Sequence, residues 1–107
     1  MDMENSKAQM KKGVLEFCIL AILEKGDAYS TDIIERLKSA KLIVVEGTLY
    51  PLLTRLKNDN LLTYRWEESK SGPPRKYYTI TESGLQFLSG LKNSWNELLE
   101  SVQHITH

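Results

Sequence analysis

Helical periodicity over most of the chain, one β-prone hairpin between Leu62 and Ile80, and three compact helices ahead of that hairpin predict a mainly α fold with a β-hairpin wing. The order is helix, helix, helix, strand, loop, strand, long helix. This is the plan of a winged helix-turn-helix with a long C-terminal dimerisation helix. At 107 residues the chain fits one compact domain. Residues 1–80 read as the winged helix-turn-helix with its N-terminal helix, and residues 81–107 as the dimerisation helix.

Residues 1–6 are polar and expected to fray. From Lys7 to Lys25 the pattern is helical: Val14, Leu15, Cys18, Ile22 and Leu23 recur at three- and four-residue spacings. The second half of this helix is apolar nearly all round, which calls for burial on more than one side. Gly26 suits a C-terminal cap. A second helix is expected from Ser30 or Thr31 to Ser39, capped by one of those hydroxyls, with Asp32 in its first turn and Ile33, Ile34 and Leu37 as its apolar stripe.

A third helix is expected over Glu46–Asn58, burying Leu49, Leu52, Leu53 and Leu56 and leaving Thr48, Tyr50, Pro51, Thr54 and Lys57 outside. Pro51 sits inside it, where proline removes a backbone donor and crowds the carbonyl of Gly47. Together the two residues cost a regular helix about 4 kcal/mol on propensity scales. A helix that begins near Pro51 is the alternative. The period then changes: Leu62–Trp66 and Lys76–Ile80 read as strands around the Ser, Gly and Pro-rich loop 67–75. Thr81 caps a last helix running to about Gln103.

Fourteen basic residues balance fourteen acidic ones, which excludes a uniformly basic coat but not a local patch. Residues 36–41 hold three bases and no acid, and residues 65–78 carry a net charge of +2. Lys70, Arg75 and Lys76 flank the wing tip, where basic side chains on a rigid hairpin reach DNA phosphates. Solvated surface charge is the alternative. Thr48, Tyr50, Thr54 and Lys57 on the third helix complete the candidate DNA-binding set.

No nucleophile, phosphate-loop, zinc-protease or dinucleotide motif occurs, so no catalytic residue and no cofactor is expected. His104 and His107 read as tail residues and not as metal ligands. Lone Cys18 reads as a small core residue in a reducing, cytoplasmic setting. The longest apolar run, Phe17–Leu23, is too short to span a membrane, and Asp2, Glu4 and Glu16 spoil a secretory signal.

Gly47-Thr48-Leu49-Tyr50-Pro51-Leu52-Leu53 followed by Arg55-Leu56 resembles the signature helix of the PadR-like transcriptional regulators. Pro74-Arg75-Lys76-Tyr77-Tyr78, with Thr81-Glu82 and Gly84, resembles the same family's wing and its exit into the last helix. Gly26 and Ile33-Ile34 also fit, and the resemblance covers about residues 10–103. It implies a dimeric winged-helix DNA binder, usually a repressor relieved by a small molecule or a stress signal. Thr48 and Tyr50 would lie in the reading helix, Arg75 and Lys76 in the wing. Three departures stand out. Asn60 replaces a usual Gly, Ser30-Thr31 replaces a common Gly-Tyr pair, and Val45 replaces a frequent capping Ser. The short last helix suits the small subclass of the family. A winged helix used for protein contacts alone is the second reading.

Leu88, Leu91, Trp95, Leu98, Val102 and Ile105 are spaced 3, 4, 3, 4, 3, a heptad seam expected to form a homodimer interface. Packing on its own domain is the alternative. Trp95, paired across a two-fold axis, could also stack on a small flat aromatic effector.

Overall fold

The computed structural model describes residues 1–107. Five helices and three strands follow in the order α1 Met3–Lys12, α2 Leu15–Glu24, β1 Ala28–Tyr29, α3 Ser30–Ser39, α4 Glu46–Asn58, β2 Leu62–Glu67, β3 Arg75–Ile80 and α5 Glu82–Thr106. The strands form one antiparallel sheet in the order β1-β3-β2. This is the winged helix-turn-helix with a long last helix.

The N-terminal helix differs from the expectation in two ways. It starts at Met3, not Lys7, because the Asp2 side chain accepts a bond from Glu4 N–H at 3.0 Å and caps it. It also does not run on to Lys25. Gly13, the poorest helix former short of proline, closes α1, and α2 starts afresh behind Val14. No residue of α1 is buried, whereas α2 sinks Leu15, Ile19, Leu20 and Leu23.

Other ends shift by a residue or more. Tyr29, not Ser30 or Thr31, holds the cap position of α3, and Asp32 reaches back to accept its N–H at 3.0 Å. Gly26 donates to the Leu23 carbonyl at 3.2 Å without a left-handed turn. α5 continues to Thr106. β1 was not expected: two residues are too few to show a period, and its partners Tyr77 and Tyr78 lie about 50 positions on.

Helix α4 does start at Glu46 despite Pro51. Val45 offers no side-chain cap. Its carbonyl instead accepts from both Thr48 N–H and Leu49 N–H, at 3.0 and 3.1 Å. The helix thus opens on a tightened, shared first turn. Leu49, Leu53 and Leu56 are buried and Leu52 is half-buried.

One core joins α2, α3, α4, the sheet and the first turns of α5 through Ile19, Leu20, Leu23, Ile33, Leu37, Leu49, Leu53, Leu56, Leu62, Tyr78 and Leu88. Each such aliphatic side chain contributes about 2 kcal/mol by leaving water. Leu88 is fully buried here and Leu91 packs beside it. These two expected seam residues therefore anchor α5 to its own chain. Past Leu91 every residue of α5 is exposed, although Lys92 and Trp95 still reach Glu24 and Phe17 of α2, and the molecule measures 53 × 33 × 22 Å.

The hairpin is pinned where its two ends meet. Asn60 takes the left-handed conformation (φ 63°) that ends α4, which asparagine tolerates. Thr81 Oγ1 donates to the Asn60 carbonyl at 2.6 Å and accepts from Gly84 N–H at 2.9 Å. Thr81 N–H donates to the Leu61 carbonyl at 3.2 Å. Gly84 is buried against that carbonyl, and a Cβ there would lie 2.0 Å from the Leu61 oxygen and 2.7 Å from Ile80 Cγ1. Gly84→Ala is expected to cost about 3 kcal/mol or more, because a backbone oxygen must move. Thermal denaturation should register a fall in Tm on the order of 10 °C. A variant melting within a degree or two of the wild type would refute the close approach.

Candidate nucleic-acid interface

The side chains singled out on α4 and the wing fall into separate groups. Thr48, in the first turn of α4, is exposed and lines a cavity of about 430 Å³ shared with α1 and residues 42–45. Tyr50, two residues on, is 42% exposed and lines a different cavity of about 310 Å³. That second cavity lies between the start of α3, the start of α4 and the wing, and Ser30, Thr31, Trp66, Arg75, Lys76 and Tyr78 also line it.

Hydrogen bonds and aromatic faces hold this second group. The Ser30 and Tyr50 hydroxyls lie 3.0 Å apart. Arg75 Nη2 donates to Thr31 Oγ1 at 2.7 Å, and its guanidinium sits 4.0 Å above the Tyr29 ring. The Lys76 ammonium lies 4.5 Å from the Tyr64 ring centre and 5.5 Å from that of Trp66. Such exposed cation–π contacts are worth about 0.5–1 kcal/mol each, enough to orient a side chain without locking it. Burial pushes the Tyr78 phenol up from its ordinary value, and the neighbouring Tyr50 and Tyr64 phenols add to the shift. Tyr78 is therefore a neutral hydroxyl at physiological pH.

The wing itself is braced at its base. Arg65 on β2 donates to Glu67 at 2.7 Å and to Asp27 at 3.4 Å, and stacks 4.6 Å from the Tyr77 ring. Arg55 on α4 is drawn to Glu16 of α2 at 2.5 Å, so it ties two helices together, and it does not line the Tyr50 cavity.

Of the remaining candidates, only Lys57 approaches this group, through the Tyr64 ring that it shares with Lys76. Lys57 leans over Tyr64 at 5.7 Å. Thr54 is exposed on α4, and Lys70 is exposed in the loop joining the wing strands. The structure thus joins Tyr50, Arg75 and Lys76, and leaves Thr48, Thr54 and Lys70 separate. Ser30, Thr31 and Trp66 belong to the cavity but were not among the expected contacts. Ser30 and Thr31 read in sequence as helix caps. Trp66 reads only as a strand residue, and its partner Lys76 emerges from the register Trp66↔Lys76.

Trp95 packs at a tilt against Phe17 of α2, ring centres 6.3 Å apart, and lines neither the cavity beside α1 nor the wing-side cavity. No group of three His, Cys, Asp or Glu side chains is placed to hold a metal ion, and no helix is long and apolar enough to cross a membrane.

Hydroxyl donors and two cations at one cavity suit phosphate oxygens, and no nucleophile–base pair adjoins them. A helix-turn-helix flanked by such a wing defines a winged-helix nucleic-acid-binding class. The model of the transcriptional regulator PadR-like family matches residues 19–90, and the chain belongs to that family. It is 33% identical over 82 residues to the negative transcriptional regulator PadR of Bacillus subtilis, covering 70% of this chain and 43% of that protein. The chain thus spans less than half the length of that regulator. A PadR-like transcription factor from Bacteroides fragilis is 63% identical, with a TM-score of 0.80 over 94% of this chain and 98% of its own. A PadR family regulator from Eggerthella lenta is 29% identical and superimposes with a TM-score of 0.90, over 97% and 91% of the two chains. The protein is a transcriptional regulator of this family, whose members are not enzymes.

Cys18 on α2 is half-buried, and burial pushes its thiol up from the ordinary value. Its thiolate fraction near neutral pH is then below that of a free cysteine, and it should react slowly. Native protein is expected to be alkylated by iodoacetamide at pH 8 several-fold more slowly than the same chain in denaturant. Equal rates in the two states, followed by mass spectrometry, would contradict this burial.

Proposed function

We propose that the protein is a cytoplasmic, homodimeric DNA-binding repressor that reads a two-fold operator. Helix α4 enters the major groove and the wing, residues 66–76, holds the backbone beside it. Residues 1–80 carry DNA binding and residues 81–107 carry dimerisation. The observation that most supports this is the convergence of Tyr50, Arg75, Lys76, Ser30 and Thr31 on one cavity beside α4. Repression is the activity in the name of the Bacillus subtilis relative.

Arg75 and Lys76 supply sequence-independent phosphate contacts, joined by Lys70 from the loop. Thr48, Thr54 and Lys57 lie on the exposed side of α4 and face the groove. Tyr50, whose hydroxyl already meets Ser30, serves the backbone rather than a base edge.

The dimer reading rests on α5. Trp95, Leu98, Val102 and Ile105 are 40, 56, 47 and 83% exposed, a contiguous apolar stripe at heptad spacing. Leu88 belongs to the chain's own core and half-buried Leu91 packs against it, so both are dropped from the interface. A second α5 across a two-fold axis would cover the stripe and pair two α4 helices for the two half-sites of an operator.

Two measurements test this. In a mobility-shift assay, Arg75→Ala/Lys76→Ala should weaken binding to promoter-region and random duplexes alike, lowering the salt slope by about one unit per lost phosphate contact. Thr48→Ala should reduce discrimination between the two duplexes and keep most of that slope. No binding by wild type at low salt would end the DNA reading. In the second, light scattering should give a dimer mass for the intact chain and a monomer mass for Leu98→Glu/Val102→Glu. An intact, folded monomer at micromolar concentration would end the dimer reading.

A further inference from the structure

The wing-side cavity accounts for one flank of α4 only. On the other flank, Thr48 shares its cavity with Lys7, Lys11 and Lys12 of α1 and with the connector residues Ile43 and Val45. Glu4 is the one acid in that lining, so the cavity carries three positive charges against one negative, a net of +2. Glu4 pairs with Lys7 at 3.7 Å, and Lys11 and Lys12 pair with no carboxylate. In a chain of zero net charge, an unneutralised basic cluster next to the start of the reading helix is a sorted feature. Helix α1 also buries none of its residues, so core packing does not explain its position.

We infer that the lysine face of α1 is a second backbone anchor, in which Lys7, Lys11 and Lys12 take phosphates flanking the segment that α4 reads. The inference rests on the DNA-binding reading above and extends it to an element outside the helix-turn-helix and wing. Lysine suits this role: its ammonium is a point charge on a flexible stem, and the stem can lie along apolar Ile43 and Val45 while the head reaches outward. Helix α4 is then bracketed, with α1 lysines beside Thr48 and the wing cations beside Tyr50. Another occupant has a charge argument too. Exposed Glu97 and Glu100 on the α5 of a second copy could meet the same lysines.

Lys11→Gln/Lys12→Gln removes the two unpaired charges and keeps helix propensity nearly unchanged. Lys25→Gln/Lys92→Gln removes two exposed charges outside the basic run 36–41, α4 and the wing, and serves as the matched control. Binding of a labelled random-sequence duplex is followed by fluorescence anisotropy across a salt series, with mass checked by light scattering and helix content by circular dichroism. The slope of log K against log salt should fall by about two units for Lys11→Gln/Lys12→Gln, at about 0.9 unit per phosphate contact. The control should lose much less, and both variants should keep the wild-type mass and helix content. Equal losses in the two variants would reduce the effect to overall charge and overturn the inference. A mass change confined to Lys11→Gln/Lys12→Gln would overturn it in favour of the partner's α5. An unchanged slope beside normal wild-type binding removes this anchor alone, whereas a wild type that binds no duplex removes the DNA reading and the anchor with it.

Discussion

The contact between Gly84 and the Leu61 carbonyl is the constraint around which the chain closes. Leu61 lies just before β2, and Gly84 lies in the first turn of α5. Both ends of the wing therefore leave from one point. The Thr81 hydroxyl links that point to α4 by donating to Asn60, whose left-handed turn redirects the chain from helix to strand. A side chain at position 84 would push α5 off the sheet and α2. That would lift Leu88 from the core and tilt the wing relative to α4. The spacing between the wing and α4 thus depends on packing at a site remote from either surface.

That rigid base allows a neutral chain to present a charged face. Charge in solution acts through placement, and screening confines it to about 10 Å at ordinary salt. The wing shows how placement is achieved. Arg65 is consumed in bracing Asp27 and Glu67, while Arg75 and Lys76, on the neighbouring strand, rest on aromatic rings beside Tyr50. Cation–π contacts orient these side chains without engaging a carboxylate, and Arg75 spends one N–H group on Thr31 Oγ1. The opening of α4 follows the same logic. Gly47 and Pro51 weaken its first turn, and the Val45 carbonyl shared by Thr48 and Leu49 restores part of the bonding. A regular, strongly capped helix would not need that arrangement.

Helix α5 divides its work along its length. Its first turns, through Gly84 and Leu88, belong to the core, and the turns after Leu91 carry Trp95, Leu98, Val102 and Ile105 outside it. The heptad spacing runs through both parts without a break. Periodicity reports which side of a helix is apolar and does not report what lies against it. Hence Leu88 and Leu98 look alike in sequence and differ completely in burial.

Much of this protein is legible in its residues. Leu49, Leu53 and Leu56 set the buried face of α4 through local spacing, the Thr81 cap starts α5, and Ser, Gly and Pro place the hairpin loop, because each acts within a few residues of itself. The family motifs around Pro51 and Arg75 lie in these same locally determined elements. The break at Gly13 was also local, yet the apolar run behind it masked it. Tertiary structure alone decided the rest. The β1 pairing with Tyr77 and Tyr78, the meeting of Ser30 with Tyr50 and of Thr31 with Arg75, and the nearness of the α1 lysines to Thr48 all join residues 20 or more positions apart. Such contacts leave no period in the chain. They exist because Gly84 and the Leu-rich core fix how the helices and sheet stack, and that stacking is a property of the packed whole.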